Sequence, residues 1–451
     1  MNQVGLNRAW VVWLLVAVWL LVVAASVVTL LQKRLSLPPA TYKRAELTPR
    51  GAITTSDGKI LAISPRRGER IYPLGTLAGQ VVGYNYRVGE RYGEGLAGVE
   101  LHREENLSRG EEVRLTIDTR VQAVAELALA WGMERSLAEW GAVVVLSPNG
   151  DILAAANAPF FDPKSRRGKP EEDPRLRNYA FRATIEPGST VKALTAAVLL
   201  DVGAVKLEER IKVPARRRVA DRVVRDWRWH PERSWNLKEI LAHSSNVGIS
   251  TLAERISRKT LHRYFQKLHL GDPHLIPGLT ERAILPPLSE WGPVEYATAT
   301  FGQGIAVTPL HLAAAFNALI DGNYYRPRLY ADEEPAPAVR VFKLETAKVI
   351  REVLAEISQR TVGIPGYRLG GKTGTAQIPI QGGYDPERVV ALYAGFIPAD
   401  RPVATAVVVL YNPQVPPEER YGSKLAAPVF RRLASGVLSL YGVTPRFGNL
   451  E

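Results

Sequence analysis

The sequence predicts an α+β fold carried on a single N-terminal transmembrane helix, and three observations lead there. Residues 9–31 form an uncharged apolar run. Strand signals stand near residues 142–156 and return at 389–397 and 403–410, with helical patterns dominating in between until about Leu354. A sheet drawn from both ends of a segment, with helices in the middle, indicates an antiparallel sheet flanked by helices rather than a parallel α/β core. The chain has 451 residues, 46% of them hydrophobic. That suffices for a sizeable core and excludes a disordered protein.

The elements follow in order. The run 9–31 would be roughly 34 Å long as a helix, enough to cross a ~30 Å hydrocarbon layer. A cleaved leader has an apolar region of only about 7–15 residues, and a buried core helix would keep a polar face, so the run reads as an anchor behind the short segment 1–8. Arg8 precedes it, while Lys33, Arg34, Lys43 and Arg44 follow, so the flanking charge does not settle orientation. Residues 32–118 are rich in Gly, Arg and Tyr. They open with a hairpin signature around Asp57-Gly58 and read as a small β-rich pedestal. Asp118 is placed to cap a helix from Thr119 to about Ala138, which begins the main domain at 119–440 and leaves 441–451 as a tail. Strands at 142–146 and 152–156 form a hairpin across Ser147-Pro-Asn-Gly-Asp151. Asn236 reads as a helix cap, and Thr308-Pro309 as the start of a helix through Leu319 that stops at Asp321-Gly322.

Composition excludes several chemistries. Zero cysteines rule out disulfides, thiolate metal sites and a cysteine nucleophile, and the seven histidines show no metal-ligand spacing. No metal and no cofactor is expected. The net charge of +13 suits an anionic surface, an acidic substrate or nucleic acid, but no nucleic-acid-binding motif is present. Arg216, Arg217 and Arg218, with Arg222, Arg225 and Arg228, read either as a solvated face or as a track for an anionic glycan or peptide.

The chemistry begins at Ser189. Pro187 and Gly188 break the preceding structure, and an apolar run to Gly203 predicts a helix opening at Ser189. Lys192 then stands three residues on, on the same helix face. A lysine in a first turn opposes the helix dipole, and that field with burial would lower its pKa and leave a neutral amine able to take the serine proton. Ser-x-x-Lys alone is weak, since Ser56 to Lys59 matches it across a turn. Ser-x-Asn occurs three times, and only Ser244/Asn246 sits in a small-residue setting suited to a cleft. Lys372-Thr373-Gly374 occurs once.

In this order the three motifs are the set shared by penicillin-binding proteins and class A β-lactamases. Glu186-Pro-Gly-Ser-Thr-Val-Lys192, Ser244-Ser-Asn-Val-Gly248, Phe301-Gly-Gln-Gly304 and Gly371-Lys-Thr-Gly-Thr-Ala-Gln377 resemble class B penicillin-binding proteins. So do Arg50-Gly-Ala-Ile53, Leu115-Thr-Ile-Asp118 and the closing Ala427-Pro-Val-Phe430. The first two motifs look more like the septal FtsI type than the elongation-specific type. One departure is that Arg50-Gly-x-Ile leads into Thr54-Thr-Ser-Asp-Gly58, and only about 50 residues separate Ala62 from Leu115, so the pedestal is short.

The resemblance implies a penicillin-binding, serine β-lactamase-like transpeptidase domain that cross-links peptidoglycan stem peptides through an acyl-enzyme and is acylated by β-lactam antibiotics. It implies Ser189 as nucleophile, Lys192 as base, Ser244 as proton relay and Lys372 as the source of local positive field. Asn246 would hold the donor peptide, Thr373 and Thr375 would meet its carboxylate, and Gly371 and Gly374 would admit its backbone. The oxyanion hole would be the backbone N–H groups of Ser189 and Thr375. It further implies an FtsW-type glycan polymerase and other divisome proteins as partners, and a single-pass location in the cytoplasmic membrane with the catalytic domain on the extracytoplasmic side. An elongation-specific enzyme, or a non-catalytic penicillin sensor or scaffold, are the alternatives.

Overall fold

The computed structural model describes Trp13 and residues 49–88, 91–165, 173–271 and 274–446. Apart from Trp13, the apolar run 9–31 lies outside the described residues, among which no helix is long and apolar enough to cross a membrane. Thr48–Glu451 forms one compact unit.

The hairpin around Asp57-Gly58 is present. Ile53–Thr54 (β1) pairs antiparallel with Ile60–Ala62 (β2), and Val113–Arg114 (β3) adds to β1 in parallel. The turn also ties the pedestal to the main domain: the Asp57 carboxylate accepts from Thr119 N at 3.1 Å and Thr119 Oγ1 at 2.5 Å. That contact anchors the start of Thr119–Ser136 (α1), whose N-cap is Asp118, accepting from Arg120 N and Val121 N. Such a cap is worth about 1 kcal/mol.

The main sheet contains Trp140–Leu146 (β4) and Ile152–Ala158 (β5) from the domain's start. Its middle supplies Val191–Asp201 (α2), Arg216–Val219 (β6), Arg222–Arg225 (β7), Asn246–Ala253 (α3), Pro309–Asn317 (α4) and Leu344–Val362 (α5). Gly370–Ile380 (β8), Gly383–Ile397 (β9), Ala404–Tyr411 (β10) and Ala426–Leu440 (α6) close it. Spatial order is β8-β9-β10-β4-β5, antiparallel throughout. The join between the two ends of the sequence is the β10–β4 pair, with Val407 opposite Val144.

Strand periodicity then sends side chains to two cores. On β4, Ala142, Val144 and Leu146 pack with Val191 and Leu194 of α2 and Leu312 of α4. Val143 and Val145 pack on the other side with Leu129 of α1 and Phe430 of α6. Both faces are covered, so β4 is buried along its whole length. β8 is an edge strand, and an edge can accept an added strand.

Helices do dominate the middle of the domain, but two short strand pairs that were not expected interrupt them: Arg216–Val219 and Arg222–Arg225 form a hairpin, and Ile211–Val213 pairs with Arg233–Trp235. An arginine run carries no apolar alternation, so the usual strand signal is missing there.

Candidate active site

The helix after Pro187 opens slightly later than expected. Gly188–Thr190 is a tight 3-10 turn, and the α-helix proper starts at Val191. Gly188 takes φ +52, a left-handed value that favours glycine, and its N–H donates to the Gly302 carbonyl at 3.1 Å. Glu186 adds a second tie, its Oε1 accepting from Gly304 N at 2.9 Å and Tyr384 Oη at 3.1 Å. The Phe301-Gly-Gln-Gly304 motif thus braces the turn that carries Ser189. Ser189 is half-buried, whereas Lys192, one helical turn on, is fully buried.

Lys192 meets Ser244. Its Nζ donates to the Ser244 carbonyl and to Ser244 Oγ at 3.2 Å. Lys372 Nζ reaches the same Oγ at 3.0 Å, and the Thr373 carbonyl at 3.1 Å. One hydroxyl oxygen therefore stands between two buried lysines. Burial drives the Lys192 pKa far below the ordinary lysine value, the Lys372 charge pushes it the same way, and Asp226 acts in opposition. Burial alone brings Lys372 down to about 8. Taking an ammonium out of water disfavours its charged form.

Ser244 itself has φ 54, in the left-handed region that non-glycine residues seldom occupy. Such strain persists only where the surroundings enforce it. Here they do: Ser245 caps α3 by accepting from Gly248 N at 2.8 Å, and Asp226 accepts from Ser245 Oγ at 2.6 Å and Val247 N at 3.0 Å. Asp226 is nearly buried and is also paired with His230 Nε2 at 3.0 Å. Sequence reasoning missed Asp226. It was a carboxylate inside an arginine run, the one available signal. Asn246 begins α3, and its Nδ2 donates to the Arg225 carbonyl at 3.1 Å, which fixes the amide plane.

β8 supplies the opposite wall. Thr373 and Thr375 are half-buried, and Thr375 Oγ1 accepts from Gly422 N at 3.0 Å, leaving its hydroxyl proton free to donate. At Gly374 a Cβ would be crowded, lying 3.0 Å from Thr190 Cγ2, 3.1 Å from Leu392 Cβ and 3.2 Å from the Pro187 carbonyl. The glycine lets β8 lie close to the serine turn. Ser358 of α5 holds the Gly371 backbone from behind through both N–H and C=O. Trp227 and Tyr421, with ring centroids 5.5 Å apart, join the Asp226 loop to the Gly422 loop. Among the described residues no cluster of His, Asp and Glu could hold a metal ion.

The arrangement supports acyl transfer by a serine activated by a buried lysine. Residues 141–435 match the family described as the penicillin binding protein transpeptidase domain. A protein of Neisseria gonorrhoeae, the probable peptidoglycan D,D-transpeptidase PenA, is 31% identical over 415 residues, covering 84% of this chain and 69% of that one. Peptidoglycan D,D-transpeptidase FtsI of Escherichia coli K12 is 32% identical over 339 residues, covering 73% and 56%. The crystal structure of penicillin binding protein 3 from Mycobacterium tuberculosis superposes with a TM-score of 0.82 at 27% identity, covering 90% of this chain and 98% of that one. Its complex with ampicillin gives 0.83.

Proposed function

The chain belongs to the class B penicillin-binding proteins of the FtsI type, the peptidoglycan D,D-transpeptidases, and on that premise we propose that it forms cross-links through an acyl-enzyme on Ser189. The observation that carries the mechanism is the placing of Ser244 Oγ between Lys192 and Lys372. Neutral Lys192 takes the Ser189 hydroxyl proton as Oγ attacks the carbonyl between two D-alanines of a stem peptide. The C–O ester bond forms and the C–N bond breaks. Ser244 passes a proton to the leaving nitrogen, and D-alanine departs. An amine of a neighbouring stem peptide then attacks the ester, forms the new amide and returns the proton to Ser189. Backbone N–H groups of Ser189 and Thr375 hold the oxyanion in both steps, a contribution whose removal typically costs about 10²–10³-fold. Thr373 and Thr375 receive the substrate carboxylate, Asn246 the donor backbone. The substrate lies along the edge of β8 as an added strand.

A β-lactam acylates the same serine. The septal form of two motifs, and the FtsI relatives, favour a role in division beside a membrane-embedded FtsW-type polymerase and other divisome proteins. The apolar run 9–31 then anchors the enzyme in the cytoplasmic membrane, and the substrate's location puts the catalytic domain outside. The direct test is labelling with a fluorescent penicillin. Wild type is expected to label covalently and Ser189→Ala not at all; equal labelling of the two would overturn the site.

A further inference from the structure

The β6–β7 hairpin has two unlike faces. Residues directly opposite on an antiparallel pair point the same way, and the register sets Arg216 against Arg225, Arg218 against Val223, and Arg217 against Val224. The Arg217 face is docked: Val219 and Val224 are buried, and Arg217 pairs with Glu254 just beyond α3 at 2.6 Å. The other face is open. Arg216, Arg218, Arg225 and Val223 are all exposed, and among the described residues neither Arg216 nor Arg225 has an ion-pair partner. Two arginines directly opposed and unpaired are a local cost that folding does not require.

The end of the hairpin, by its backbone, leads directly into the active site. The carbonyl of Arg225 holds Asn246, and the next residue, Asp226, holds Ser245 and Val247. Past the end of the hairpin, Trp229 is 78% exposed.

We infer that the Arg216–Arg218–Arg225 face is a secondary binding surface for the anionic peptidoglycan strand, engaging free carboxylates of stem peptides outside the catalytic groove. The inference rests on the transpeptidase reading and deepens it. Charge complementarity decides the occupant, because the charged residues of the face are all arginines, and the direct chain link from Arg225 to Asp226, which holds Ser245 and Val247, favours the substrate polymer over a lipid surface. A strand held at this second point dissociates more slowly from the groove, by the usual gain of a linked contact.

The test uses the full chain in detergent and R216Q/R218Q, neither of which touches the catalytic groups. Fluorescent penicillin labelling is measured first and is expected to be the same in both proteins. Co-sedimentation with purified insoluble peptidoglycan is then expected to fall by about tenfold in the variant, with wild-type retention weakening as salt rises. R216K/R218K should retain binding, and wild type should lose it on peptidoglycan whose carboxylates have been amidated. Equal retention of wild type and R216Q/R218Q, or arginine-dependent retention only on phosphatidylglycerol vesicles, overturns the inference. Absence of labelling in wild type would overturn the catalytic reading instead, while sedimentation still reports on the hairpin.

Discussion

Two pairs of like charges stand close together in this protein, and they are resolved in opposite ways. Lys192 and Lys372 both donate to Ser244 Oγ, so their ammonium nitrogens are at most about 6 Å apart, and both are buried. Arg216 and Arg225 face each other across a hairpin in open solvent. Lysine can escape repulsion by losing a proton, and burial makes that cheaper still. Arginine cannot, since its guanidinium stays charged at any accessible pH. In the buried pair both lysines are pushed toward the neutral form, Lys192 by burial and by the Lys372 charge, Lys372 by burial alone. The exposed pair stays doubly charged, and only water, salt or an anionic ligand relieves it. The same repulsion yields acid–base chemistry inside and a binding surface outside.

The largest effect comes from breaking the buried pair. Lys192→Ala removes the base and is expected to lower the rate of penicillin acylation by about 10²–10⁴-fold, read by stopped-flow or gel labelling. In wild type the pH profile should be bell-shaped. Acylation rises as Lys192 gives up its proton, and declines as Lys372, with its pKa brought down to about 8, loses the charge that the site uses. Lys372→Ala at reduced rate should lose the alkaline limb. Because the Lys372 charge helps hold the Lys192 pKa down, its removal should also move the acid limb to higher pH. An acid limb unmoved in Lys372→Ala would uncouple the two lysines.

A smaller effect is expected where the two regions join. Asp226→Asn keeps the shape but removes the charge and leaves one acceptor oxygen where two served, Oδ2 for Ser245 Oγ and Oδ1 for Val247 N. Hydrogen bonds to a charged group exceed neutral ones by about 1 kcal/mol, so a loss of about fivefold in acylation rate is expected. Removing the carboxylate also withdraws the one influence that raises the Lys192 pKa, so the acid limb should shift to lower pH. A purely structural role would slow acylation without moving that limb.

Much of this was legible in sequence wherever the signal is local. The Asp118 cap, the Asp57-Gly58 hairpin and the Thr308 cap all depend on residues within a few positions, and all three are found as read. Ser189 and Lys192 share a turn for the same reason. What was not legible is set by distance along the chain. Ser244 is 52 residues from Lys192 and 128 from Lys372, so no spacing rule states that one oxygen meets both. The packing at Gly374 is likewise long-range, since the atoms that would crowd a Cβ belong to Pro187, Thr190 and Leu392. Asp226 was hidden twice over, by the arginines around it and by partners about 20 residues downstream.

The smallest effect sharpens the exposed half of the comparison, and its sign is the informative part. Arg216→Glu turns a like-charge cross-strand pair into an opposite-charge pair with Arg225. Such pairs are worth about 0.2–1 kcal/mol, so the variant should be slightly more stable than wild type in urea unfolding, with the gain shrinking as salt screens it. The buried pair offers no equivalent substitution, because a carboxylate at Lys372 would pair with Lys192, keep it protonated and remove the base. A charge that can be reversed with a gain in stability is held there for something other than folding. If Arg216→Glu instead lowers stability, the arginine side chain itself packs the hairpin, and the repulsion between Arg216 and Arg225 is already relieved by solvent.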